Sequence, residues 1–219
     1  MKKFTKILSL ALILGALQLS SFANTGANVS ATEAMQKLKA GNQRFIEMKL
    51  EHPDQNKERM KELEKSQHPF VAILSCSDSR VPPEIIFDQG LGDIFEIRNA
   101  GNVKDDQVIG SIEYAIVHLG VKLVVVLGHQ DCGAVKAALD NTKESRYIES
   151  LIKEIEPSVK ISKGTGNELV TNVAKNHAKL TANKMVTEDP VLSEYVKSHD
   201  VKIIPAFYYL DTGKVEFLK

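Results

Sequence analysis

The chain has 219 residues, 43% of them apolar and 26% charged, with 28 basic and 28 acidic side chains. That is the composition of one ordinary globular domain with a sizeable core. A formal charge of zero gives no electrostatic footprint for nucleic acid, and the absence of Trp leaves no obvious stacking platform for bases or sugars.

The first segment is of another kind. Lys2, Lys3 and Lys6 give a basic start, Ile7 to Leu19 is almost wholly apolar, and Ser21-Phe22-Ala23 supplies small residues at the positions a signal peptidase reads. This is the order of a secretory signal peptide, and the apolar run is shorter than the roughly 20 residues of a membrane span. The expected organisation is a signal peptide at 1–23, a flexible mature start at 24–32 and a single domain at 33–219. The mature protein is then exported, to the periplasm, with no stable membrane insertion after cleavage. In an oxidising compartment two cysteines are by default a disulfide.

Thr32 is placed to cap a helix over 33–48, with Ala34, Leu38, Phe45 and Met48 on one apolar face. The charged stretch 54–65, entered through Pro53, reads as a solvated helix. Phe70–Ser75 is a short apolar strand of the kind buried on both faces. Pro82 and Pro83 open a short helix. Strands follow at 94–98 and 122–127, separated by a helix over 106–119 in which His118 reads as a packed core residue. Gly133–Leu139 begins another helix. Residues 145–199 read as helical, broken near Pro157, at Gly164 and Gly166, and at Pro190. Val201–Ala206 is a strand, Asp211-Thr212-Gly213 a turn, and 214–218 a final edge strand. The fold class is α/β: a mostly parallel central sheet flanked by helices, with an N-terminal helical arm and a C-terminal edge strand.

Ligands of such sheets sit beyond the carboxyl ends of the strands. The chain's two cysteines, Cys76 and Cys132, both fall there. Cys76 opens the run Cys76-Ser77-Asp78-Ser79-Arg80, and Cys132 follows His129 by three residues. Two thiolates and one imidazole are a borderline-soft set that suits tetrahedral zinc, one ion per chain. Asp78 is a candidate fourth metal ligand; otherwise the fourth position is left to water or substrate. A disulfide uses the same two cysteines but accounts for none of His129, Asp78 and Arg80. Gly133 marks a place where backbone can approach the loop, although helix initiation alone explains it.

The stretches CSDSRVPPEIIFDQGLGDIFEIRNAGN (76–102) and IEYAIVHLGVKLVVVLGHQDCGAV (112–135) resemble the β-class carbonic anhydrases. LKAGNQRF (38–45) and DTGKVEFL (211–218) are similar to that family's beginning and end, so the resemblance covers 35–219. It implies zinc on Cys76, His129 and Cys132, with Asp78 paired to Arg80 in an open form or bound to the metal in a closed one. It implies reversible hydration of carbon dioxide to bicarbonate and a proton, by zinc-bound hydroxide that the Asp78–Arg80 dyad orients. Gln67, Phe95 and Tyr114 match substrate-pocket positions, and Ala100 stands where a larger aliphatic residue can occur. Ile73 stands where a gated, bicarbonate-inhibited subgroup carries Trp, which argues for an open centre. The resemblance also implies a homodimer or higher homo-oligomer, with the N-terminal helix on a partner subunit. Hydrolysis of carbonyl sulfide or carbon disulfide, and a non-catalytic zinc or disulfide-stapled role, are the alternatives. His52, His68, His118, His177 and His199 are candidates for proton transfer by residue type alone.

Overall fold

The computed structural model describes residues 29–219, so the signal-peptide reading lies outside the described residues. Helix α1 spans Ala31–Ile46. Its cap is Ser30 rather than Thr32, in a reciprocal capping box with Glu33. Val29 and Ala31 are buried, so ordered structure begins before position 33. Helix α2 is Lys57–Glu62, shorter than its charged stretch and with no buried residue.

Five strands follow: β1 Val71–Cys76, β2 Ile94–Asn99, β3 Leu123–His129, β4 Lys202–Tyr208 and β5 Val215–Phe217. Their order in the sheet is β2-β1-β3-β4-β5. The first four are parallel, and β5 pairs antiparallel with β4. β1 and β3 are buried at every position, as continuous apolar runs in the middle of a parallel sheet should be. Both run slightly past their predicted ends, so Cys76 and His129 are the last residues of strands rather than the first of loops. From β1 the chain crosses to β2 on one side, while β3 takes the other. The crevice of a doubly wound sheet opens at such a reversal.

Alternation along the strands separates two cores. Val71, Ile73, Leu123, Val125 and Leu127 face α1 and helix α3, Pro83–Ile86. Ala72, Leu74, Val124 and Val126 face helices α4 (Asp106–Val117), α7 (Gly166–Glu188) and α8 (Pro190–Ser198). A third cluster joins both cysteines to α5 (Gly133–Leu139) and α6 (Arg146–Ile161). Helix α6 does not break at Pro157. Its buried stripe of Ile152, Ile155 and Ser158 continues across the proline, and packing overrides the lost donor. His118 is also not a core residue. The buried face of α4 is Val108, Ile112, Ala115 and Ile116, and His118 is the exposed cap that follows it. No helix among the described residues is long and apolar enough to cross a membrane.

Candidate metal centre

Cys76 and His129 end adjacent parallel strands, and Cys132 is the N-cap of α5 three residues after His129. Asp131 makes the turn between them with φ of 59°, a left-handed conformation that Asp tolerates. The two sulfurs and one imidazole nitrogen lie within 4.8 Å of one another, all on buried residues. Both cysteines are free in this structure, their thiols turned toward His129.

The surroundings of these three groups fit a metal. His129 Nδ1 lies 2.8 Å from the Gln130 carbonyl oxygen. A carbonyl only accepts, so Nδ1 carries the proton and Nε2 presents a lone pair. That Nε2 is buried and has no hydrogen-bond partner among the described residues, an expensive state unless something binds there. The thiols answer in the same way. A hydrogen bond from Cys132 pulls the Cys76 thiol well below its ordinary value against the cost of burial, helped by the Gly101 and Asp78 backbone N–H groups. Its hydrogen bond to Cys76, together with burial, pushes Cys132 up, while the Val135 and Ala134 amides at the start of α5 act the other way. The pair thus holds one shared proton, which a dication displaces. Two thiolates and an imidazole are a zinc donor set.

Asp78 is not among the converging ligand atoms. Arg80 holds it bidentately, Nε to Oδ1 at 2.9 Å and Nη2 to Oδ2 at 2.8 Å, and the Arg80 backbone N–H adds a third bond at 2.9 Å. This contact, against a smaller cost of burial, lowers the Asp78 carboxyl to about 2. Its Oδ2 stands 4.0 Å from His129 Nε2, beside the ligand group without joining it. Arg80 also faces Asp131 at 3.7 Å, and Asp131 pairs with Lys136.

Two features were missed from sequence. Arg98 Nε donates to the Cys76 carbonyl at 3.1 Å and its Nη2 to the Asp78 carbonyl at 2.7 Å, so one guanidinium ties the main chain of the first ligand to that of Asp78. The Gly101 N–H donates to Cys76 Sγ at 3.3 Å. Both residues lie in the stretch EIRNAGN, whose arginine and glycine were the available signal.

The expected pocket residues form a second cluster. Gln67 and Tyr114 line a cavity of about 640 Å³ with His68, Val117 and His118, and none of the three metal-binding candidates lines it. Phe95 lies nearby, its ring centroid 6.2 Å from that of Tyr114. Gly133 is exposed, and a Cβ there would meet nothing within 4 Å, so no close approach requires glycine.

The carbonic anhydrase family profile matches residues 71–215. Carbonic anhydrase 2 of Mycobacterium tuberculosis is 39% identical over 191 residues, which are 85% of this chain and 92% of that protein. The carbonic anhydrase of Helicobacter pylori is 32% identical over 190 residues, 76% of this chain and 85% of the relative. The crystal structure of the β-carbonic anhydrase CafA of Aspergillus fumigatus superposes with a TM-score of 0.68 at 28% identity, over 86% of this chain and 90% of that one.

Proposed function

The chain belongs to the β-class carbonic anhydrases, zinc enzymes, and on that premise we propose how its residues divide the hydration of carbon dioxide among them. Cys76, His129 and Cys132 hold one zinc per chain. Asp78, steered by Arg80, orients the attacking water. The observation that carries this reading is the convergence of three ligand atoms within 4.8 Å with the Asp78 carboxylate 4.0 Å from His129 Nε2.

Zinc bound there supplies a Lewis acid that brings the pKa of water toward neutrality. The rest falls to the side chains. Arg80 keeps Asp78 ionised, so its carboxylate accepts a hydrogen bond from the attacking oxygen and turns a lone pair toward the carbon of carbon dioxide. By engaging both oxygens, Arg80 also keeps the carboxylate off the ligand group. Arg98 fixes the backbone carrying Cys76 and Asp78, so their spacing does not drift. Replacing Asp78 by Ala is expected to leave one zinc per chain and to cut turnover at least about 100-fold. Turnover at the wild-type rate in a zinc-replete Asp78→Ala protein would remove the dyad from the mechanism.

Two wider proposals accompany this one. The basic start and the apolar run over 7–19 support export to the periplasm with cleavage after Ala23. Recovery of mature protein starting at Asn24 from a periplasmic fraction tests that, and an intact Met1 contradicts it. A homodimer with substrate sites shared between subunits is supported by edge strand β2, partly exposed along its length, and by the exposed apolar side chains of Ile85, Tyr114 and Val117. In that arrangement Gln67, Phe95 and Tyr114 serve the metal centre of the partner.

A further inference from the structure

His177 is a buried titratable side chain that the chemistry above leaves without a role. It lies on α7, is 2% exposed, and its Nε2 is 3.0 Å from the carbonyl oxygen of Gly101, 76 residues earlier. The carbonyl accepts, so the network assigns the proton to Nε2. Nδ1 is then the acceptor for Ser158 Oγ at 3.4 Å, a side chain fully buried on α6. Gly101 in turn donates its N–H to Cys76 Sγ.

Gly101 needs such an anchor. It sits in the 3-10 turn Ala100–Asn102 with φ of 78°, a conformation glycine leaves as easily as it enters. A side chain could not restrain it. A Cβ at this position would lie 2.9 Å from Ala134 Cβ and 3.0 Å from Ile155 Cδ1. Asn99 clasps the far end of the turn, donating from Nδ2 to the Val103 carbonyl at 2.8 Å and accepting the Val103 N–H at Oδ1 at 2.9 Å. At the near end the Gly101 N–H is held by the Cys76 sulfur, and its carbonyl is held by His177, reaching in from α7.

We propose that His177 is a positioning residue for the metal centre: through the Gly101 carbonyl it locks the turn so that the Gly101 N–H stays on the Cys76 sulfur. That donor stabilises the thiolate and moderates how strongly the sulfur binds a metal. Burial keeps the imidazole neutral, its pKa pushed down to about 4, so the donor is in place throughout the neutral range. The inference rests on Cys76 being a zinc ligand.

The test uses the full-length zinc-loaded protein and reads zinc release into excess chelator, the absorption spectrum of the cobalt-substituted form, and the melting temperature. His177→Gln carries an amide nitrogen close to the position of Nε2 and can still donate to Gly101. His177→Asn is as polar but reaches only as far as Nδ1. Release from His177→Gln is expected within about twofold of wild type, and release from His177→Asn at least about tenfold faster, with a shifted sulfur-to-cobalt band. Wild-type release from both variants overturns the proposal. So does equal acceleration of both with matching losses of melting temperature, since that is the mark of bulk packing. If His177→Asn does not fold, nitrogen NMR of the wild-type protein decides. A neutral Nε2–H tautomer with a Gly101 amide protected from exchange supports the role, and an Nδ1–H tautomer or an unprotected amide refutes it. A wild-type protein that binds no zinc overturns both the proposed function and this inference, whereas a zinc-replete wild type with indifferent variants overturns this inference alone.

Discussion

Asp78 sets both its oxygens against one guanidinium while standing 4.0 Å from the unpartnered nitrogen of His129. That geometry separates two jobs, holding a metal and steering water, that residue types alone leave together. The ligand set was legible in sequence because Cys and His have few other reasons to stand at the carboxyl ends of apolar strands. Whether Asp78 would join it was not, since the Asp78–Arg80 pair is local but the distance from the carboxylate to His129, 51 residues away in sequence, is set only by the fold. His177 was legible only as one histidine among several, because its partner is 76 residues away and is brought to it by the packing of α7. Cys132→Ser is expected to lose zinc and thermal stability together, because metal affinity is part of the folding free energy of such a site. Metal analysis and a melting curve on the same sample check it, and full zinc content in that variant contradicts the assignment.

Helix α1 and the β5 hairpin meet through Asn42. Its Nδ2 donates to the carbonyls of Ile86 at 3.1 Å and Gly213 at 2.8 Å, and its Oδ1 accepts the N–H of Val215 at 2.9 Å. Replacing it by Ala leaves three backbone groups unpaired, two of those bonds being buried, and is expected to cost about 2 kcal/mol or more of unfolding free energy in denaturant titration. A cost under about 0.5 kcal/mol would show that α1 does not depend on it. The packing of α6 and α7 gives a second test. The folded-state pKa of His177 is depressed by burial and by Lys184, against the pull of the Gly101 carbonyl, from 6.5 to about 4. A depressed histidine contributes stability that is fully present above its unfolded pKa and is lost as pH falls through the folded one. Wild type should therefore lose about 3 kcal/mol more than His177→Gln between pH 7 and pH 4. Parallel stability curves for the two proteins contradict this. Element order and fold class were readable from alternating apolar and amphipathic runs. The ends were not, because ladder partners carry β1 and β3 out to Cys76 and His129, and core contacts carry α6 through Pro157.

At the scale of the molecule, the metal group and the cluster of Gln67, Phe95 and Tyr114 are separate in one chain, a division no motif announces. If the sites are shared between subunits, a mixed dimer of Cys76→Ser and Gln67→Ala chains carries one complete site, the metal of one chain facing the Gln67 of the other. Activity in the mixed dimer above that of either parent homodimer is expected; activity no higher than the Gln67→Ala half-share places Gln67 within its own subunit. The central claim, that Cys76, His129 and Cys132 hold the zinc of a carbon dioxide hydratase, has a more direct test. Purified protein is assayed for metal and, on the same sample, for carbon dioxide hydration by stopped flow at pH 7 and pH 8.5. About one zinc per chain with hydration far above the buffer rate is the result expected, and one zinc per chain with no hydration at either pH is the result that contradicts it.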